Sequence, residues 1–228
     1  MIILDKNIDK EILKELKKLN KEIIFTEENK ALMPGINTHP DILIRPLEGK
    51  DIIVDRDNLS YYKKLLENYN IIPSEKSLKR SYPYDVALNF VLYKGYLIHN
   101  LSFTDRQVID YCKKRNYKFI DVKQGYTKCN IVVGKNSLIT SDKDIYEKLK
   151  EEFNVLLIKH KNIDLKGFNY GFIGGASGLI DDVLYFTGDF LIHPCGKEIN
   201  SFLNENREEF KILSKNKLVD YGSILNIS

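Results

Sequence analysis

Little in this chain announces a chemistry at first sight. Its three cysteines, Cys112, Cys129 and Cys195, are odd in number and share no paired spacing, which argues against a disulfide framework. It has no Cys-x-x-Cys or His-x-x-x-His pair, so no metal site is expected. A dominant charge is also missing: 35 Lys and Arg against 32 Asp and Glu leave a net +3, with acids interleaved among the lysines. A nucleic-acid partner is therefore not expected, because such proteins cluster their cations and reach higher pI values. The opening "MIILDKNIDKE" carries four apolar residues and then charges. That fits neither a signal peptide nor a membrane anchor, so a cytoplasmic location without membrane contact is expected. The glycine-rich "GFIGGASG" has Leu179 where a nucleophile elbow needs its second glycine, and no helix follows as a phosphate loop requires. No cofactor is expected from it; glycines there let strands approach closely.

What is present is a core and a repeat. The chain has 228 residues, 43% of them hydrophobic and 29% charged, a composition suited to one large domain or two small ones. Helix-period stretches occur five times: "NIDKEILKELKKLN", "DNLSYYKKLLENY", "TDRQVIDYCKKRN", "SDKDIYEKLKEEF" and "KEINSFLNENREEF". Thr104 and Gln107 have capping-box spacing, and Asn58 stands at a similar helix start. Each helix is followed at once by a short apolar strand, and then by two more strands joined at a tight turn such as "EGKD", "YKGY" or "GKNS".

The fifth copy, "VDYGSILNIS", stops after its second strand. "MIILDKN" has the pattern of the missing third strand, and lending it to the last copy removes two exposed sheet edges. The expectation is an α/β, five-bladed α/β propeller in one domain over 1–228. Its units run approximately 5–55, 56–100, 101–140, 141–188 and 189–228, with strand 1–4 closing the ring. The second strands would surround a central pore and the helices would lie outside. The competing arrangement is an open α/β sheet with hairpin insertions.

Five such units, together with "KQGYTKCN", "YGFIGGASGLID" and "LVDYGSI", resemble the pentein fold of the guanidino-group-modifying enzymes, and most of all a bacterial branch without assigned activity. The resemblance implies a ligand at the pore. In the enzymes it implies a Cys nucleophile, a His acid/base and carboxylates that grip a guanidinium. In the fold's non-catalytic member, initiation factor six, it implies an interaction module. "THPDILI" places His39 and Asp41 in the family's His-x-Asp arrangement. Cys129 opens a strand as the family's Cys does, but in the third unit rather than the last, where the chain has Ser177.

Aligning the repeats puts Asp41, Asp85, Cys129, Ser177 and approximately Tyr221 at equivalent positions at one end of the pore. The candidate catalytic set is Cys129, His39, Asp41 and Asp85. Arg45, Tyr84, Asn89, Lys128, Ser177 and Asp220 are candidate ligand contacts. A carboxylate pair can hold a planar guanidinium, and a thiolate activated by Lys128 or a protonated His could attack its carbon. Each residue also has an ordinary role open to it. Cys129 could be a buried strand thiol, Asp41 and Asp85 turn residues, and His39-Pro40 a simple turn. The expected function is a pore binding a small cationic or guanidine-like ligand, with a Cys-dependent hydrolase and a non-catalytic interaction module both open.

Overall fold

A computed structural model describes residues 1–227. The chain forms β1 (Ile2–Leu4), α1 (Lys10–Lys17) and β2 (Ile23–Phe25), then a helical turn α2 (Pro40–Leu43) that feeds β3 (Ile44–Pro46), β4 (Asp51–Val54), α3 (Leu59–Leu65) and β5 (Asn70–Pro73). The next unit is β6 (Val91–Tyr93), β7 (Tyr96–His99), α4 (Arg106–Lys114) and β8 (Lys118–Asp121). A second helical turn, α5 (Thr127–Asn130), leads into β9 (Ile131–Val133), β10 (Ser137–Thr140), α6 (Lys143–Leu149) and β11 (Asn154–Leu157). The chain continues through β12 (Ser177–Ile180), β13 (Val183–Phe186), α7 (Gly196–Glu205), β14 (Glu209–Ile212) and β15 (Leu225–Asn226).

These strands make five separate three-stranded sheets, each with an antiparallel pair, a hairpin in four of them, and a parallel third strand reached through a helix. The closing sheet is β15-β1-β2. In it Ile3 pairs with Leu225 antiparallel and Ile24 parallel, so the N-terminal strand completes the last unit as the repeat predicts.

The ring follows from strand periodicity. Successive side chains of a strand point to opposite faces, and in every middle strand two neighbours serve different cores. Ile2 packs with Tyr185, while Ile3 packs with Ile52. Ile53 packs with Leu97, Ile98 with Leu138, and Ile139 with Leu184. Five apolar wedges thus join five sheets in a cycle, which an open sheet could not do. Each fully buried aliphatic side chain contributes about 1.5–3 kcal/mol.

Two helix starts differ from the sequence expectation. Asp105, not Thr104, caps α4 by accepting from Gln107 N–H at 2.9 Å. The Thr104 hydroxyl instead meets His99 Nδ1 at 2.7 Å. Asn58 makes no side-chain cap on α3 and donates instead to the Glu27 carbonyl.

His99 itself is fully buried, with Nε2 on the Gly125 carbonyl at 2.8 Å, and burial pushes it down to about 4. The unfolded chain binds its proton at about 6.5, so His99 costs about 3 kcal/mol of stability as pH falls from 6.5 to 4. Asp55, raised by burial to about 6, works in the opposite sense over the same range. Urea midpoints measured from pH 7 to 4 are expected to fall less steeply in His99→Gln than in the parent. Parallel slopes would remove His99 from the acid response.

Candidate functional site

The inner ends of the units meet at the pore. Pro40 occupies the first helical position of α2, where its missing N–H costs nothing. The turn that follows, and α5 in the third unit, bring backbone groups to the axis. Lys128 N–H donates to the Asn89 carbonyl, Gly175 N–H to Cys129, Ser223 N–H to Gly175 and Asp41 N–H to Gly222, all at 2.8–3.0 Å. The Asn89 amide donates to the Asp41 carbonyl at 3.1 Å and closes the cycle. Close approach is built in: a Cβ on Gly175 would land on the Asp220 carboxylate, and Gly222, at φ +66°, abuts His39.

Within this ring lies a polar chain. Cys129 Sγ donates to Asp41 Oδ2 at 3.2 Å and accepts from Asn89 Nδ2 at 3.1 Å. Asp41 Oδ2 also accepts from Ser223 Oγ at 2.7 Å, and Ser223 Oγ accepts from Lys128 Nζ at 2.8 Å. The Arg45 guanidinium is buried over the Phe90 ring; among the described residues its Nε and Nη1 have no hydrogen-bond partner, and neither does Asp41 Oδ1. Burial lowers Lys128 to about 8 and Arg45 to about 10, against the favourable pull of Asp41.

The Cys129 thiol is pushed well above its ordinary value, first by burial and then by the charges of Asp41 and Asp220. The expectation that Lys128 depresses it is therefore reversed. The ammonium is aimed at Ser223 and the Gly174 carbonyl, while the nearest charge on the thiol is a carboxylate. At neutral pH this thiol is a protonated donor.

On one side the network opens into a cleft of about 280 Å3, whose base includes Cys129, His39 and Asp220. His39 is buried, with Nδ1 3.8 Å from Asp220 Oδ1 and Nε2 3.9 Å from Asp5 Oδ2. Burial raises the Asp220 carboxyl, although it accepts from the N–H groups of Phe172 and Gly222, both at 2.9 Å. Aromatic rings of Tyr126, Phe168, Tyr170 and Phe172 form much of the wall.

Cys129, His39, Asp41, Arg45, Asn89, Lys128 and Asp220 are thus gathered at the pore or its cleft, Ser177 meets them at the Gly174 carbonyl that also accepts from Lys128 and Ser223, and two candidates stand elsewhere. Asp85 lies behind the cleft wall, accepting the Tyr126 hydroxyl, and burial raises its carboxyl. Tyr84 is 59% exposed on a separate surface groove, under Lys79. Ser177 is buried in β12 and donates to the Gly174 carbonyl at 3.1 Å.

The alignment of repeats is corrected with them. Ile44 pairs with Val54 and Ile131 with Thr140, each the last residue of its middle strand. This register matches Asp41 with Lys128 and Ile42 with Cys129, while Ser177, paired with Phe186, matches Ile44. The mismatch arises because Cys129 and Asp41 sit in single helical turns rather than in the strand, where residues two apart would share a face. Sequence reasoning did not find Ser223, whose φ of 72° beside Gly222 marks a tight turn, or the aromatic wall.

Five β-β-α-β sheets closed around a polar pore give this chain the pentein fold. It belongs to the family described as a family of unknown function (DUF6873), whose model matches residues 3–225. No curated protein matches it by sequence. Among solved structures it is similar to a dimethylarginine dimethylaminohydrolase from Pseudomonas aeruginosa complexed with citrulline. That similarity has 8% identity and a TM-score of 0.61 over 93% of this chain and 91% of the other. It is also similar to inosamine-phosphate amidinotransferase from Streptomyces griseus, with 12% identity and a TM-score of 0.59 over 95% and 78% of the two chains. The N-terminal domain of a cyanobacterial arginine dihydrolase gives 12% identity and a TM-score of 0.55 over 92% and 89%. Similarity at this identity establishes the shared fold.

Proposed function

We propose that the cleft binds a small guanidine-like cation and that Cys129 cleaves one of its C–N bonds by hydrolysis. The observation that carries this reading is the convergence of Cys129, His39 and Asp220 on one aromatic-walled cleft, with Asp41 on the thiol. A buried carboxylate favours a cation beside it, and Asp220 sits at the cleft base. A cation there also favours the thiolate, offsetting the burial that holds the empty site protonated.

In the reaction His39, whose Nδ1 has no hydrogen-bond partner among the described residues, takes the thiol proton. The sulfur then bonds to the guanidinium carbon. Imidazolium returns the proton to the departing nitrogen as the C–N bond breaks and an amine leaves. Water, deprotonated by His39, adds to the same carbon; the C–S bond breaks, and a urea-type product and the thiol are regenerated. No cofactor enters this sequence.

The raised thiol favours a second reading in one respect: a protonated Cys129 also suits a site that binds without turnover, as in an interaction module. The two separate in a single assay. Incubation with an alkylguanidine, followed by mass spectrometry for the urea and amine products, is expected to show turnover in the parent and at least a thousand-fold loss in Cys129→Ala. Binding without product in the parent would leave the binding reading alone.

A further inference from the structure

We infer that the cleft selects a guanidinium bearing an apolar or aromatic substituent and no carboxylate, an alkyl- or arylguanidine rather than a guanidino acid. The inference rests on the reading above for the guanidinium end of the ligand, and goes beyond it for the other end.

Among the described residues that line the cleft, none is Lys or Arg. Neither buried cation of the pore lines the cleft: Lys128 donates to Ser223 and the Gly174 carbonyl, and Arg45 lies over Phe90. The Lys161 ammonium lies 5.6 Å above the Tyr170 ring centroid, held by the ring's negative face. A ligand carboxylate would meet Asp220, the one carboxylate of the lining, and would be desolvated against it with no Lys or Arg of the lining to pair with.

Phe168, Tyr170 and Phe172 offer the rest of the ligand apolar surface. Tyr170 and Phe172 meet edge to face at 5.9 Å, and Tyr126 tilts against Phe172 at 6.2 Å. Leu165, Ile36 and Ile42 add aliphatic lining, and Asn169 is the one side-chain amide among the lining residues. One polar base and an aromatic rim match a cation at one end of a ligand and a hydrocarbon at the other.

Calorimetric titration of the intact chain with benzylguanidine, butylguanidine and arginine tests this directly. The expected result is that both carboxylate-free ligands bind at least tenfold more tightly than arginine, with benzylguanidine first. Tyr170→Ala should reduce the preference for benzylguanidine, and Leu165→Arg should raise arginine affinity. Arginine binding as tightly as butylguanidine in the parent would overturn the inference. So would an arginine affinity unmoved in a folded Leu165→Arg variant.

The failure of the catalytic reading looks different. Benzylguanidine would then bind with the same selectivity but release no amine, and the inference would stand. Benzyltrimethylammonium binding as tightly as benzylguanidine would remove guanidinium recognition and leave the apolar, carboxylate-free cation in place.

Discussion

Asp41→Ala is expected to lower the free energy of unfolding by about 3–5 kcal/mol, the usual consequence of leaving a buried charge uncompensated. The reason lies in how many groups share this carboxylate. Its Oδ2 accepts from both Cys129 and Ser223, and Ser223 in turn accepts from Lys128. Arg45 and Lys128 are both buried, and Asp41 is the largest influence holding each in its charged form. Removing it takes the counter-charge from two buried cations and the acceptor from the Cys129 thiol at once, while Ser223 is left to donate only to the Gly174 carbonyl. Asp41→Asn keeps the side-chain volume and offers a gentler version.

In the Asn variant the thiol loses one of the charges that raise it, so iodoacetamide should modify Cys129 faster at pH 8 than in the parent. Equilibrium denaturation checks the stability effect, and alkylation followed by peptide mapping checks the thiol. An Asp41→Ala protein within 1 kcal/mol of the parent would mean that the pore cations find other partners.

Removing residues 1–5 is the second change with a large expected effect: it should abolish the cooperative fold. Ile2, Ile3 and Leu4 are fully buried. Ile2 and Leu4 belong to one apolar wedge and Ile3 to the next. Losses of this kind typically cost about 2–5 kcal/mol per large side chain, and three together rival the roughly 5–15 kcal/mol that stabilises a typical domain. The deletion also leaves β2 and β15 without their shared partner. Far-UV circular dichroism and amide NMR dispersion read the outcome. A truncated chain with native dispersion would show that the ring tolerates an open seam.

Much of this architecture was written in periodicities long enough to register. Five helices with one apolar face and hairpins marked by "EGK" or "YKG" each carry a local signal, and the clasp by Ile2–Leu4 follows from the missing strand. The pore was harder to read. A single helical turn such as Pro40–Leu43 or Thr127–Asn130 is too short to show a 3.6-residue period, so its residues look like the start of the strand behind it. Asp85 and Ser177 were displaced in the alignment for this reason, although Cys129, Asp41, Asn89 and Lys128 do converge. The protonation of the thiol was beyond sequence, because it depends on depth and on which neighbour points at the sulfur. Lys128 is adjacent in the chain, yet Asp41, from another unit, makes the hydrogen bond. The aromatic cleft is likewise a product of the loop at 165–172 folding over α2, with Phe168 packed against the cluster that holds Ile42.

The alternation by which every middle strand feeds two wedges has a consequence for how the molecule opens. In a linear array of repeats the terminal units have one neighbour each, so they fray first and exchange their amide protons early. A cycle has no terminal unit: loosening any blade costs two interfaces. The central-strand amides, from Ile3 round to Leu184, should therefore exchange with solvent at one common free energy, that of global opening, rather than in a graded series from the ends inward.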